Sequence, residues 1–257
     1  MLLAIDVGNT HTVVGLFEAT ELVADWRIST SPAQTIDELA VVYRVLLDGA
    51  GRSLSGLEGM AVSSVVPSLT AEYRSVGERW CGKEPLIIDH RAVPYLPVKN
   101  HDPASVGADR LVNAVAAIET YGTPVVVVDL GTATTLDVID AGGAYAGGVI
   151  APGIATSANA LFQKGARLAR VEIVKPERVV GRSTEESIQA GVFLGAVGAV
   201  DTLVDLVREE MGFPAGVPVV ATGGLASALA SASRTITQVD ETLTLRGIRV
   251  IWERARG

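Results

Sequence analysis

The chain has 257 residues, 48% hydrophobic and 19% charged, with a formal net charge of −8; this excludes a disordered chain and leaves room for a sizeable core. A negative balance with no Lys/Arg cluster excludes a nucleic-acid footprint, which needs a basic face. A single cysteine, Cys81, excludes an intrachain disulfide and points to a reducing compartment.

Met1 to Asp6 has no basic n-region and its apolar run stops at Asp6, so no signal peptide is expected. Leu2–Ile5 reads as a short strand ending in Asp6. Thr12–Phe17 and Leu22–Ile28 read as an antiparallel hairpin turning around Glu18–Glu21. Thr35 and Glu38 form a capping box, after which Ile36, Leu39, Ala40, Tyr43, Leu46 and Leu47 fall on one helical face. Gly49 and Gly51 end that helix. Met60–Val66 is the next strand, Pro67 breaks it, and Ser68 opens a helix towards Trp80. Leu86–Asp89 is a further strand. A loop from His90 to Pro103 leads into a helix from about Val106 to Tyr121, stopped by Gly122.

The order then restarts. Pro124–Val128 is a continuous apolar strand ending in Asp129. Thr134–Ile139 and Tyr145–Ile150 flank a turn at Ala141–Gly143. Helices are expected near 154–165 and over Thr184–Met211. Val217–Ala221 is a strand, Thr222-Gly223-Gly224 leads into a short helix, and Leu245 to Arg256 closes the chain as a helix. The uncharged stretch between Asp140 and Lys164 has the length of a membrane helix. Its glycines at 142, 143, 147, 148 and 153 and its Pro152 fit turns better. A soluble, cytoplasmic chain with no membrane contact is therefore expected.

Two halves with one order of elements imply a duplication, with the boundary expected between 113 and 114. The duplication is sharpest in Ile5-Asp6-Val7-Gly8-Asn9-Thr10 and Val128-Asp129-Leu130-Gly131-Thr132-Ala133: apolar strand, Asp, apolar residue, Gly, small residue. Such a turn suits phosphate. Gly allows close backbone approach, and successive N–H groups make an anion-binding concavity. Asn9, Thr10 and Thr132 add side-chain donors, and the Asp can hold a cation that bridges phosphates. One Asp-x-Gly is an ordinary turn signal. Two copies, each closing a buried strand at the start of its half, favour a clamp for a triphosphate.

Gly77 to Lys83 has P-loop spacing, but Glu84 follows where Ser or Thr should supply a Mg²⁺ ligand, and the segment follows a helix. It is rejected. His11, His90 and His101 are too scattered for a metal site.

Asp6-Val-Gly-Asn-Thr10, Gly107-Ala-Asp-Arg110, Asp129-Leu-Gly-Thr-Ala-Thr134, Gly147-Gly-Val-Ile-Ala-Pro-Gly153 and Thr222-Gly-Gly224, in that order, resemble type III pantothenate kinase. The resemblance implies an α/β, two-domain actin-like (ribonuclease H-like) fold with a duplicated mixed sheet. It implies phosphorylation of the primary hydroxyl of pantothenate by ATP, the first step towards coenzyme A. By the same resemblance Asp6, Val7, Gly8, Asn9, Thr10, His11, Thr12 and Val13, with Thr132, bind ATP, and Asp6 takes Mg²⁺ through the phosphates. Gly107, Ala108, Asp109, Arg110 and Thr184 line the pantothenate site, and Asp109 matches the general base. Asp129 matches a site for a monovalent cation, K⁺ or NH₄⁺, and the protein is expected to be a homodimer. Thr222-Gly223-Gly224 resembles an adenosine-binding turn.

The residues alone leave alternatives. Asp109 can be a helix first-turn carboxylate favoured by the macrodipole, Arg110 a solvated helix arginine, and Thr184 an N-cap. Where relatives carry a tyrosine before Gly-Ala-Asp-Arg, this chain reads Asn100-His101-Asp102-Pro103, which leaves open whether the tyrosine contact is absent or supplied by Tyr95. Two other functions share the fold: a sugar- or acetate-type phosphotransferase and a catalytically silent accessory protein. The presence of Asp6, Asp109 and Asp129 favours a kinase over the second.

Overall fold

In the computed structural model, which describes residues 1–164 and 170–257, the chain forms two units, Met1–Ala116 with Leu243–Gly257 and Ala117–Thr242. Each is built on a five-stranded mixed sheet. The strands are β1 (Leu2–Val7), β2 (His11–Glu18), β3 (Glu21–Ser29), β4 (Gly59–Ser64) and β5 (Leu86–Ile87) in the first unit. In the second they are β6 (Val125–Leu130), β7 (Ala133–Ile139), β8 (Tyr145–Pro152), β9 (Val219–Thr222) and β10 (Gln238–Val239). The helices are α1 (Ile36–Gly49), α2 (Pro67–Val76), α3 (Ala108–Tyr121), α4 (Ile154–Lys164), α5 (Thr184–Met211), α6 (Ala226–Ala230) and α7 (Leu243–Arg254). The expected helix end at 165 lies outside the described residues.

The sheet orders are β3-β2-β1-β4-β5 and β10-β9-β6-β7-β8, the same arrangement strand for strand. In each, the first strand pairs antiparallel with the next in sequence and parallel with the fourth. The duplication inferred from two short motifs therefore extends through both sheets.

Alternation along β1 divides the first unit. Leu3, Ile5 and Val7 pack with Leu39, Tyr43 and Leu47 of α1 and Leu69, Tyr73 and Val76 of α2. Leu2, Ala4 and Asp6 point to the opposite face, where α7 packs against β1, β2 and β4. A strand covered on both sides is apolar at successive positions, which is why β1 shows no polar alternation. In the second unit Val126, Val128 and Leu130 pack with Phe193, Val197, Val200 and Val204 of α5. Among the described residues α5 is the helix long and apolar enough to cross a membrane by length and composition; its Phe193, Val197, Val200 and Val204 lie in this core. The uncharged stretch from Asp140 forms the β7–β8 turn, β8 and α4 instead.

Three expectations change. The closing helix α7 belongs with the first unit, although the sequence order places it in the second half. It is seated where side chains are missing: a Cβ on Gly59 would fall 2.8 Å from Trp252 Nε1, and one on Gly247 would strike the Val112 carbonyl of α3. The crossing between units falls inside α3, after Ala116. Pro67 does not merely break a strand. It is the first residue of α2, where its missing N–H costs nothing. The capping box of α1 forms as expected, with Thr35 N–H donating to Glu38 Oε2 at 2.8 Å.

Candidate active site

Strand register places Asp6 beside Val13 of β2 and Ser63 of β4. Ser63 is fully buried, and its Oγ donates to Asp6 Oδ1 at 3.1 Å. The turn beyond Asp6 closes with the Gly8 N–H donating to the His11 carbonyl at 3.1 Å. Asn9, Thr10 and His11 are exposed on it. Thr12 differs from its neighbours. It is buried, shares a 2.9 Å hydrogen bond with Thr30, and bonds to Tyr73. Tyr73 in turn meets Tyr43, hydroxyl to hydroxyl, at 2.8 Å. Tyr43 is fully buried with Tyr73 as its hydrogen-bond partner, so its proton goes to Tyr73. The chain then runs Tyr43, Tyr73, Thr12, Thr30 towards solvent. Burial is the first reason that both phenols are held above their ordinary pKa, so they stay neutral donors. Thr12 thus anchors the first turn to the α1–α2 core, while Asn9, Thr10 and His11 are the exposed residues of the turn.

The second turn is one residue shorter. Leu130 pairs with Thr134, whereas Val7 pairs with Thr12, and the closing bond is Gly131 N–H to the Ala133 carbonyl at 3.0 Å. Asp129 lies beside Thr135 of β7 and Thr222 of β9. Thr132 is exposed, and its carbonyl accepts from Thr156 Oγ1 at 2.6 Å and from the Gly153 N–H at 3.1 Å. These bonds tie the start of α4 to the turn and give the Gly147–Gly153 motif a positioning role. Gly223 has φ of +91°, and a Cβ there would lie 2.8 Å from Asp129 Oδ1 and from the Leu130 carbonyl oxygen. The Thr222-Gly223-Gly224 turn, expected only as a nucleotide contact or a tight connection, therefore makes room for the Asp129 carboxylate.

Gly107 to Arg110 open α3. The Gly107 carbonyl accepts from the Arg110 and Leu111 N–H groups at 3.1 and 3.2 Å. Asp109 sits in the first turn, half-buried, and its Oδ1 accepts from the Arg110 N–H at 2.9 Å. Burial pushes its carboxyl above the ordinary aspartate value, against that N–H bond and the Arg110 charge, which pull it down. A first-turn carboxylate held only by the macrodipole would be exposed and acidic. Burial instead makes this carboxylate more basic than a solvated one.

Thr184 is the first residue of α5, but the N-cap is Ser183, whose Oγ accepts from the Glu186 N–H at 3.1 Å. The N-cap alternative for Thr184 is therefore removed. Thr184 lines an apolar cleft of about 750 Å³ with Ile154, Leu161, Ile188 and Gly191. Asp102 caps the 3₁₀ turn Pro103–Ser105 through the Ala104 N–H at 3.0 Å. Tyr95 lies under the Arg254 guanidinium, 4.6 Å from ring centre to Cζ. Gly77–Cys81 continues α2 as a wide π turn, and Lys83 Nζ donates to the Leu57 and Glu58 carbonyls at 2.9 and 3.2 Å; this is a structural lysine, consistent with rejecting the P-loop. No group of three or more His, Cys, Asp and Glu able to hold a metal occurs among the described residues.

Two sheets of one strand order, each closing its first strand with an aspartate and a glycine turn, define the actin-like ATPase and sugar-kinase class. Solved structures of that shape superpose over nearly the whole chain. Component A of (R)-2-hydroxyglutaryl-CoA dehydratase from Acidaminococcus fermentans has a TM-score of 0.58 at 15% identity, covering 100% of this chain and 99% of that one. A putative N-acetylglucosamine kinase from Porphyromonas gingivalis has a TM-score of 0.52 at 15% identity, covering 100% and 99%. At such identities they share the fold alone.

The sequence relatives are more specific. The family model for type III pantothenate kinase matches residues 2–206. Proteins described as type III pantothenate kinase from Koribacter versatilis and Thermomicrobium roseum are 47% and 49% identical, each over 99% of this chain and 96% and 97% of their own length. One from Geobacter sulfurreducens is 44% identical over the full length of both. The chain belongs to the type III pantothenate kinase family, which supports the kinase reading rather than the silent accessory one.

Proposed function

We propose that this chain transfers the γ-phosphoryl group of ATP to the primary hydroxyl of pantothenate, with Asp109 as general base. The observation that carries the role is the half-buried Asp109 carboxylate, raised in pKa by burial and fixed at the start of α3 beside Arg110. A hydroxyl nucleophile needs an oriented acceptor for its proton, and the rest of phosphoryl transfer is positioning and charge neutralisation. Gly107 to Arg110 and Thr184 hold pantothenate, with Arg110 directed at its carboxylate or at the transferred phosphate. Asp6 to Val13 and Thr132 bind ATP. Within the first of these segments Asn9, Thr10 and backbone N–H groups make the contacts, since Thr12 is committed to the core.

Asp6 would hold Mg²⁺ together with the nucleotide, and the ion would supply neutralisation of the phosphate charge. Asp6 belongs to no cluster of three or more metal-ligating side chains among the described residues, which fits a cation that would be held mainly by the phosphates. At Asp129 the carboxylate and the Leu130 carbonyl oxygen converge on Gly223. Carboxylate and carbonyl oxygens are the donor types that a monovalent cation such as K⁺ takes, or that accept the N–H groups of NH₄⁺. The chain acts as a cytoplasmic homodimer. Supporting the dimer, α5 carries Gly191 and Gly195, which line the Thr184 cleft, and Gly198, all with open space where side chains would be. Asp109→Asn tests the mechanism: turnover falls at least a hundredfold while nucleotide binding by calorimetry stays within about threefold. Retained turnover removes Asp109 from the mechanism.

A further inference from the structure

We infer that Ser63 is a positioning residue for phosphoryl transfer, its buried hydroxyl fixing the Asp6 carboxylate that receives the metal–nucleotide. The inference rests on the kinase reading above. β4 runs Gly59-Met60-Ala61-Val62 before reaching Ser63, and these positions are all buried. An alanine would satisfy a purely structural place there, as Ala61 does on the same face two residues earlier. A fully buried hydroxyl is costly unless bonded, and the bond Ser63 makes is the one to Asp6 Oδ1 at 3.1 Å. That bond takes one carboxylate lone pair and fixes the rotation of the group about its side-chain axis.

The second unit repeats the device by position. Asp129 pairs across the parallel ladder with Thr222, as Asp6 pairs with Ser63. Thr222 is also buried, after Val219, Val220 and Ala221, which are buried too. Two otherwise different strands thus each place a hydroxyl residue, at the same register, beside the aspartate of their turn. Partners of a ligating group that set its orientation act through the ligand. Removing one costs on the order of 10–100-fold in metal affinity or activity.

The test compares wild type with Ser63→Ala and the near-isosteric Ser63→Cys, whose thiol is a poor donor. Binding of Mn²⁺ in the presence of a non-hydrolysable ATP analogue is read from the EPR signal of free Mn²⁺, alongside the Mg²⁺ activation curve and KM for pantothenate. Both variants should bind Mn²⁺–nucleotide about tenfold more weakly and need correspondingly more Mg²⁺. KM for pantothenate and binding of the metal-free analogue should not change. Ser63→Thr, which restores the hydroxyl, should recover most of the loss. Wild-type Mn²⁺ binding in Ser63→Cys overturns the inference, as does an equal loss of metal-bound and metal-free nucleotide binding. Wild type lacking pantothenate-dependent turnover overturns the kinase reading instead.

Discussion

Gly107→Ala separates the site's chemistry from its stability. A Cβ at residue 107 would sit 2.5 Å from Asp109 Oδ1, where ordinary contact begins at 3.4 Å, so the carboxylate must retreat by about 0.9 Å. Oδ1 is also the atom that accepts the Arg110 N–H at 2.9 Å. The retreat therefore breaks one hydrogen bond, about 1 kcal/mol in net stability. Gly107 is not among the positive-φ glycines, so the backbone adds no strain. A loss of that size lowers Tm by roughly 2–4 °C in a chain of this length. The rate suffers more, because a misplacement of about 1 Å at a reacting group costs on the order of a hundredfold, or about 2.7 kcal/mol of barrier. Steady-state kinetics and a thermal melt on the same preparation should show kcat down about a hundredfold, KM for ATP little changed and Tm nearly kept. A wild-type kcat, or a loss of rate matched by a collapse in Tm, refutes the steric argument.

Three further outcomes follow from the same contacts. Burial holds the Asp109 pKa up, so its ionised form costs stability. That cost is absent below the unfolded value near 3.9, grows as pH rises towards the folded value, and is full above it; Asp109→Asn should raise Tm most at neutral pH, with the gain vanishing in acid, and a variant less stable than wild type at pH 7 contradicts this. Gly223→Ala meets both positive φ and backbone atoms 2.8 Å away, which should cost about 2–4 kcal/mol by denaturant unfolding and weaken the response to K⁺. Tyr73→Phe should destabilise more than Tyr43→Phe, about 2–3 against about 1 kcal/mol, because it strands the buried Tyr43 proton; the reverse order breaks the proposed direction of the hydroxyl chain.

Much of this protein was readable from its local patterns. The apolar runs before Asp6 and Asp129 are strands because both sheet faces are covered, and the Thr35 capping box marks a helix start that the structure places there. What escaped depends on pairing across the chain. Ser63 is separated from Asp6 by 57 positions, and only the β1–β4 register brings them together. A Ser63-Ser64 pair closing an apolar strand was the available signal, and it names no partner. The return of α7 to the first unit depends on gaps left at Gly59 and Gly247, which are indistinguishable in sequence from flexible glycines. The one-residue difference between the two turns is likewise a matter of register. β10 has two residues, too few to carry a period. Thr184 was a plausible cap until the structure gave that place to Ser183, whose side chain reaches the Glu186 N–H.

The identity of the phosphoryl acceptor is tested most directly by coupled ADP release from the purified protein with ATP and Mg²⁺, with and without pantothenate, in K⁺ and in Na⁺. The predicted result is ADP release that requires pantothenate and is strong in K⁺ or NH₄⁺ and weak in Na⁺. ADP release indifferent to pantothenate, or none in any of these salts, contradicts the account.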